Sequence, residues 1–257
     1  MKPKSLLALL FLNIISANGF VTMAQDYKVM TYNVHHCNPP AQKGIIATDS
    51  IASVIHKSGA DIVLLQEVDY KSSRVQGIDQ PLELSQKSGL AYYRFFKAID
   101  IPGGEYGVMI LSRYPITSSS SYLLPSIDKG EQRVIGIVEV KPSGQKKICV
   151  ACTHLDLPKG IREIQAAFID SLLGKRERLI FGGDFNATPE SPEIKFLRER
   201  YISTSEKFQH TFPNTNPDVC IDYIFTGKTK SVKILYTNIL KDIPHSDHLP
   251  VLAEISL

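Results

Sequence analysis

Cysteine is scarce in this chain, and its few cysteines form no metal or disulfide pattern. The four are Cys37, Cys149, Cys152 and Cys220 among 257 residues. A chain of this length can bury a sufficient core without a disulfide framework. Cys149 and Cys152 have the spacing of one cysteine pair of a zinc site, but the sequence has no second pair with such spacing. In a strand, moreover, residues three apart face opposite sides. We therefore expect buried thiols, although export would permit a disulfide.

The N-terminal apolar stretch is too short to cross a bilayer as a helix. It covers residues 6–15, whereas a transmembrane helix needs about 20 residues. The basic residues Lys2 and Lys4 precede it, and small residues at 22–24 follow it, which is typical of a signal peptide. We interpret residues 1–24 as a signal peptide, with a buried N-terminal helix as the alternative. The protein is then secreted or periplasmic, with no stable membrane insertion after cleavage.

Charge of one sign does not dominate either. The chain has 29 basic and 26 acidic residues. Removal of residues 1–24 takes away two lysines and leaves a net charge of +1. A nearly neutral protein lacks the basic excess of a dedicated nucleic-acid binder. This weakens a nuclease interpretation without excluding it, because a bound metal ion can supply positive charge to a phosphate.

Predicted strands outnumber predicted helices. The sequence has no repeat, low-complexity tract or clear linker, so residues 25–257 are predicted to form one domain, and we expect a monomer. Some strands are joined by helices and others by hairpins, which predicts a mixed α/β sandwich with helices outside. The serine run 118–121 is predicted as a surface loop. Helices are predicted over 49–56, 81–88, 161–172 (with a stripe of Ile161, Ile164, Phe168 and Leu172) and from 192, and strands over 28–33, 61–65, 92–97, 108–112, 133–140, 147–154, 179–182, 221–225, 232–236 and 251–255.

Polar side chains that can bind a metal or move a proton accompany several of these apolar runs. In α/β sheets, ligands gather beyond the carboxyl ends of strands. Side chains brought together at one such edge would form a hard-metal site that hydrolyses a phosphoester. The residues concerned are Asn33, Glu67, His154, Asp184, Asn186, Asp222, Asp247 and His248.

The segment Gly182-Gly183-Asp184-Phe185-Asn186 is the most specific local signal. The glycines allow a sharp turn after the strand. In an extended chain Asp184 and Asn186 point the same way. Asp184 can then orient or deprotonate a water, and the Asn186 amide can donate to developing negative oxygens. The alternative is a simple Asx turn.

Glu67 ends an apolar run, where a carboxylate is costly unless a cation or donors receive it. Mg²⁺ prefers one or two carboxylates plus water and phosphate oxygens, so Glu67 with Asn33 forms a minimal magnesium site. A strand-end salt bridge is the alternative. In the cluster Ser246-Asp247-His248, Asp247 can bind Mg²⁺ through oxygen. His248 can transfer a proton near neutral pH, and Asp222 is the candidate partner of His248.

The motifs in order resemble the DNase I-like endonuclease/exonuclease/phosphatase superfamily, as a secreted bacterial-type member. That superfamily includes nucleases, neutral sphingomyelinases and inositol polyphosphate 5-phosphatases. The resemblance covers residues 28–255 and implies a four-layer α/β sandwich, in which two packed mixed sheets are flanked by helices. The motifs are Thr31-Tyr32-Asn33, Leu65-Gln66-Glu67, Tyr106-Gly107 with Ile110-Leu111-Ser112-Arg113, Thr153-His154-Leu155, Gly183-Asp184-Phe185-Asn186, Ile221-Asp222-Tyr223-Ile224 and Ser246-Asp247-His248-Leu249-Pro250.

The resemblance also implies roles for single residues. Glu67 is the main ligand of Mg²⁺ (or Mn²⁺), with Asn33 assisting and Asp247 completing the metal or water network. Asp184 positions the attacking water, and Asn186 stabilises the transition state. Asp222 holds His248 in its working orientation, and His154 is a second active-site histidine. Tyr106 and Arg133 contact phosphate.

The same resemblance leaves the substrate open. Val108, Cys220 and His245 depart from the expected pattern around the pocket. Our first interpretation is a phosphodiesterase, either a nuclease or a lipid-headgroup enzyme. The alternatives are a phosphomonoesterase that acts on a sugar or inositol phosphate, and a non-catalytic binding module for a phosphorylated or carbohydrate ligand. His35 and His36 are interpreted as loop residues rather than ligands.

Overall fold

The computed structural model describes residues 24–126, 130–205 and 207–257. The predicted signal peptide therefore lies almost wholly outside the described residues. No described helix is both long and apolar enough to cross a membrane.

The described residues form twelve strands and four α-helices. The strands are β1 (Asp26–Asn33), β2 (Ile62–Tyr70), β3 (Tyr92–Ile101), β4 (Gly104–Ser112), β5 (Ile116–Leu123), β6 (Val134–Val140), β7 (Ile148–His154), β8 (Leu179–Asp184), β9 (Tyr201–Ser203), β10 (Asp222–Gly227), β11 (Lys233–Ile239) and β12 (Val251–Ser256). The helices are α1 (Thr48–Ser58), α2 (Gln80–Ser88), α3 (Lys159–Leu173) and α4 (Pro192–Arg200).

The strands form two six-stranded mixed sheets. The first has the order β11-β12-β1-β2-β4-β3, and the second has the order β5-β6-β7-β8-β10-β9. Within each sheet one central pair is parallel, namely β1 with β2 and β7 with β8, while the other pairs are antiparallel. This confirms the expected mixed sandwich.

Three apolar layers hold the elements together. The central layer lies between the sheets, with Leu64 from one sheet and Val150 from the other among its buried residues. The outer face of the first sheet packs on α1, where Ile51 and Ile55 are fully or almost fully buried. The outer face of the second sheet packs on α3 and α4. Inner strands such as β2, β6, β7, β8 and β10 are buried on both faces, which explains their nearly continuous apolar sequences.

The helices form where the sequence predicts them, but one buries a different face. Gly59, which follows α1, takes a left-handed conformation with φ 67°, as expected of a helix-ending glycine. In α3 the predicted stripe is wrong in part. Ile164 is 43% exposed, whereas Gln165 is fully buried because its side chain binds the backbone of Asp156 and of Pro125.

Two further expectations need correction. The serine run 118–121 is not a loop but part of the edge strand β5, where its side chains are exposed. An edge strand with solvent on one side tolerates serines that a central strand would not. The strand before Glu67 does not end there either; β2 continues to Tyr70 through a register shift between Leu65 and Val68.

All four cysteines are buried and free, as expected, and Cys149 and Cys152 belong to different apolar layers on the two faces of the second sheet.

Candidate active site

Strand pairing in the second sheet brings three of the predicted residues side by side. His154 ends β7 and is paired in register with Asp184, which ends β8. Asp222 is paired with Asp184 on its other side. Asp222 begins its strand rather than ending it, but β10 runs antiparallel to β8, so both carboxylates reach the same edge. Each of the three side chains is nearly fully buried.

Asn33 connects this group to the first sheet. It ends β1, is fully buried, and its Nδ2 lies 3.0 Å from Glu67 Oε1 and 3.0 Å from Asp184 Oδ2. Its Oδ1 accepts a hydrogen bond of 3.0 Å from the backbone N–H of His35. In this orientation Asn33 donates to the two carboxylates and holds them next to each other.

Glu67 reaches the site because of a bulge. The register shift in β2 and a left-handed conformation at Glu67 (φ 57°) turn its side chain out of the alternating pattern of the strand. Burial raises the pKa of Glu67, but the nearby His36 and the Asn33 amide outweigh burial and lower the pKa below its usual range. The group is therefore an anion at all ordinary pH values and suits a cation.

The chain does not stay extended between Asp184 and Asn186. Asn186 is left-handed (φ 48°), and its backbone N–H donates to Asp184 Oδ1 at 2.8 Å, which is an Asx turn. The two interpretations of this motif are thus compatible. The turn leaves Asp184 Oδ2 directed at the site and places Asn186 Nδ2 within 3.0 Å of both His154 Nε2 and the Leu155 carbonyl.

His248 and Asp222 form a buried pair. His248 Nδ1 lies 2.9 Å from Asp222 Oδ2, and its Nε2 lies 3.5 Å from Asp184 Oδ2. Burial lowers the pKa of His248, but the negative charges of Asp222 and Asp184 dominate and raise it to about 10. Burial also raises the pKa of Asp184. The imidazole therefore carries a positive charge at neutral pH, and Asp184 has the basicity needed to accept a proton.

His154 has the opposite electrostatic environment. Burial and the adjacent Arg133 lower its pKa well below the usual range, so the ring is neutral. Arg133 Nη1 lies 2.9 Å from His154 Nδ1. Because a guanidinium can only donate, Arg133 is the donor to Nδ1, and the Asn186 amide lies at the other nitrogen of the ring, 3.0 Å from Nε2. That nitrogen lies 3.4 Å from Asp184 Oδ2.

The converging groups line one open cavity of about 270 Å³. Asp222 stands behind His248 and does not line it. Asp247 does not line it either; its carboxylate is half-buried and accepts from Ser246 Oγ at 3.3 Å. The predicted residues that line the cavity are Glu67, Tyr106, Arg133, His154, Asp184, Asn186 and His248.

Sequence reasoning missed Arg74, which lines the same cavity. The fully buried carboxylate of Asp69 receives two hydrogen bonds of 2.7 Å from its guanidinium, which lies 5.2 Å from the centre of the Tyr106 ring. Arg74 belongs to a short turn after β2, and no local pattern connects it to the site. Its position becomes evident only from the bidentate pair with Asp69, which joins this turn to the end of β2.

The donor set fits a divalent cation. Asp184, Asp222 and His248 present potential ligand atoms within 4.8 Å of one another. However, the Asp222–His248 pair already satisfies two of these atoms, whereas Glu67 faces the cavity as an anion with a side chain that is 22% exposed. Glu67 is therefore the better anchor for an ion, and its hard oxygens suit Mg²⁺ or Mn²⁺.

Known proteins share this architecture. A solved endonuclease/exonuclease/phosphatase from Beutenbergia cavernae superposes with a TM-score of 0.77 at 24% identity, covering 90% of this chain and 72% of that one. The structure of ANGEL2, a 2′,3′-cyclic phosphatase, gives a TM-score of 0.67 at 20% identity, over 91% of this chain and 96% of that one. At these identities the likeness establishes the fold alone.

Sequence comparison adds the family. The chain is 27% identical to the uncharacterized protein YbhP of Escherichia coli K12 over 92% of this chain and 98% of that protein. It is 25% identical to protein angel homolog 2 of Danio rerio, over 69% of this chain and 36% of that protein. The profile of the Endonuclease/Exonuclease/phosphatase family matches residues 30–248, which include every predicted site residue. The chain therefore belongs to the endonuclease/exonuclease/phosphatase family.

Proposed function

We propose that this protein is a secreted or periplasmic, metal-dependent phosphodiesterase in which an activated water attacks the phosphorus in line. One observation carries the proposal. The Asn33 amide lies 3.0 Å from both the Glu67 and the Asp184 carboxylates. Asn33 thus holds Glu67 of the first sheet, which would bind the ion, next to Asp184 of the second sheet, which would direct the water.

Glu67 would hold the divalent ion, with Asn33 orienting its carboxylate. A bound ion of this kind polarises a phosphate oxygen and stabilises the leaving group. Family membership supports a divalent metal in general; the choice of Mg²⁺ or Mn²⁺ belongs to the proposal.

Asp184 orients the water and accepts its proton, for which burial has raised its pKa. His248, held by Asp222, places a positive charge beside the developing negative oxygens. Arg133 fixes the His154 ring through Nδ1, and His154 Nε2 lies 3.0 Å from the Asn186 amide, which is the neutral donor to the developing negative oxygens.

Substrate binding rests on the rest of the cavity wall. Arg74 and Arg133 supply positive charge, and Tyr106 lies beneath Arg74. Ile99, Ile101 and the 67% exposed Leu157 form an apolar side. An open cavity of about 270 Å³ suits the phosphate of a diester and one of its two substituents, such as a nucleoside or a lipid headgroup, with the other substituent extending out of the cavity. The cyclic phosphate that ANGEL2 acts on is also a phosphodiester, which favours this class.

A substrate panel tests the proposal. The purified protein is assayed with Mg²⁺ and with Mn²⁺ on DNA, RNA, sphingomyelin, 2′,3′-cyclic nucleotides, inositol phosphates and bis(p-nitrophenyl) phosphate, with EDTA as control. We expect metal-dependent turnover of at least one diester and its loss in Glu67→Gln. Turnover of monoesters alone would establish the phosphomonoesterase instead. Absence of turnover across the whole panel would contradict both and favour the non-catalytic binding module.

A further inference from the structure

The backbone after Asn33 has an unusual conformation. His35, His36 and Cys37 are consecutive non-glycine residues with positive φ values of 46°, 41° and 58°. Such residues are uncommon even singly, and they persist only where the surrounding structure imposes the conformation. Three in a row therefore indicate that the fold holds a side chain of this turn in a particular place.

Specific hydrogen bonds impose this conformation. The His36 carbonyl accepts from Gln80 Nε2 at 2.7 Å, and Gln80 Oε1 accepts from the backbone N–H of Asp69 at 2.9 Å. The buried Gln80 thus ties His36 to β2, two residues beyond Glu67. On the other side, the backbone N–H of His35 donates to Asn33 Oδ1. The turn is anchored at both sides to the strands that carry the proposed ion site.

The His36 side chain ends in an unsatisfied atom. Its Nδ1 is buried and has no hydrogen-bond partner among the described residues. It lies 3.7 Å from Glu67 Oε2, which exceeds a hydrogen-bond distance. A buried nitrogen without a partner is costly and calls for an explanation. Two atoms that bind one ion at about 2.0–2.2 Å can lie up to about 4.4 Å apart, and this separation meets that limit.

We propose that His36 Nδ1 is a protein ligand of the divalent ion anchored by Glu67, and that this nitrogen makes the site prefer a first-row transition ion such as Mn²⁺ over Mg²⁺. The inference rests on the proposed function only in that it requires the ion at Glu67. Mg²⁺ takes oxygen ligands almost exclusively, whereas transition ions accept imidazole readily.

The neighbouring side chains are excluded as the nitrogen or sulfur ligand. His35 Nδ1 is 2.8 Å from the Asn38 carbonyl and is engaged there. Cys37 is fully buried in the apolar layer between the first sheet and α1, away from the cavity. His36 is the residue of this turn whose free nitrogen faces Glu67.

Pulsed EPR of Mn²⁺ bound to the protein tests the proposal without reference to activity, because it detects hyperfine coupling from a ligating ¹⁴N. We expect this coupling in the wild type, its loss in His36→Gln and its retention in the matched control His35→Gln. Calorimetric titration should show Mn²⁺ binding weakened by at least about tenfold in His36→Gln, since even outer-shell partners are worth 10–100-fold, with a smaller change for Mg²⁺.

The outcomes separate this inference from the proposed function. Wild-type protein that binds Mn²⁺ without ¹⁴N coupling would overturn the role of His36 while leaving the phosphodiesterase intact. Coupling that persists in His36→Gln would overturn it too, and would assign the nitrogen to another histidine. Lack of any divalent-ion binding would instead defeat the proposed function. Because the wild-type spectrum alone is decisive, a variant that fails to fold does not weaken the test.

Discussion

In the proposed mechanism the chemistry of the site depends most on Asp184, because one of its oxygens contacts both histidines and the Asn33 amide. Its other oxygen is occupied by the Asx turn. A carboxylate in this environment has two properties that rarely coincide in one residue. It is rigidly oriented, and burial makes it a stronger base than an ordinary aspartate.

Replacement of Asp184 by asparagine should reduce turnover by about 10²–10⁴-fold, the usual effect of losing a general base. The protein should stay folded with a slightly lower melting temperature, because the new amide nitrogen must face one of two donors, Asn33 Nδ2 or the Asn186 backbone N–H. Turnover and thermal unfolding measure the two effects. The exposed Asp218→Asn serves as control and should change neither. Nearly full activity in Asp184→Asn would refute the assigned role.

His248 provides a pH-dependent prediction at the same scale. Its pKa of about 10 in the folded protein exceeds the value of 6.5 for a free histidine. The stability from this pair is therefore complete below pH 6.5 and is lost as the pH rises through 10. In Asp222→Asn the pKa should fall, and this loss should begin at lower pH. NMR titration of the His248 ring and unfolding measured from pH 6 to 10 test this; an unchanged pKa would contradict the pairing.

At the scale of elements, most of the site could be predicted because strand ends follow from apolar runs. The positions of Asn33, His154 and Asp184 at strand ends needed only the sequence pattern. The bulge at Glu67 and the left-handed Asn186 could not be predicted, because a bulge is set by the neighbouring strand β4 and leaves no local pattern. The buried face of α3 was misjudged since a polar residue, Gln165, is buried there through its hydrogen bonds.

Gly183 shows how closely the elements meet at the site. A Cβ atom on it would lie 1.9 Å from the Thr153 carbonyl oxygen, and its φ of 153° disfavours a side chain. We expect Gly183→Ala to destabilise the protein by about 1–3 kcal/mol or more and to reduce activity by displacing Asp184. Gly160→Ala, in α3 with nothing within 4 Å, is the matched control. It should be neutral or stabilise by about 0.4–1 kcal/mol. Equal effects in denaturant unfolding would contradict this account.

At the scale of the whole molecule, the fold is held by apolar layers rather than by covalent links. Burial raises the pKa of Cys149 to about 11 and those of Cys152 and Cys220 to about 12. The four thiols should therefore be unreactive in the native protein and all react after denaturation without reductant. Dithiothreitol should leave the melting temperature unchanged. Fewer than four thiols in the denatured protein, counted with a chromogenic disulfide reagent, would reveal a disulfide and contradict this.

The convergence of the site is also a property of the whole molecule. Its residues extend from Asn33 to His248 and come from both sheets. Two arguments predict that these residues meet, namely the polar side chains at the ends of apolar runs and the ordered motifs through their resemblance to a family. No local pattern alone places Glu67 beside Asp184. The position of Arg74 and the contact of His36 with Glu67 depend on how the loops pack. The motifs that carry the resemblance do not include these loop residues.

A double-mutant cycle of Glu67→Gln and Asp184→Asn tests this convergence most directly. The measured quantity is the rate of metal-dependent hydrolysis of bis(p-nitrophenyl) phosphate, or of the best diester found, for the wild type, both single variants and the double variant. Residues that act as one catalytic unit have strongly non-additive effects. We predict that the double variant is no slower than the slower single variant within about threefold. Rate losses that multiply, as for two independent sites, would contradict the account.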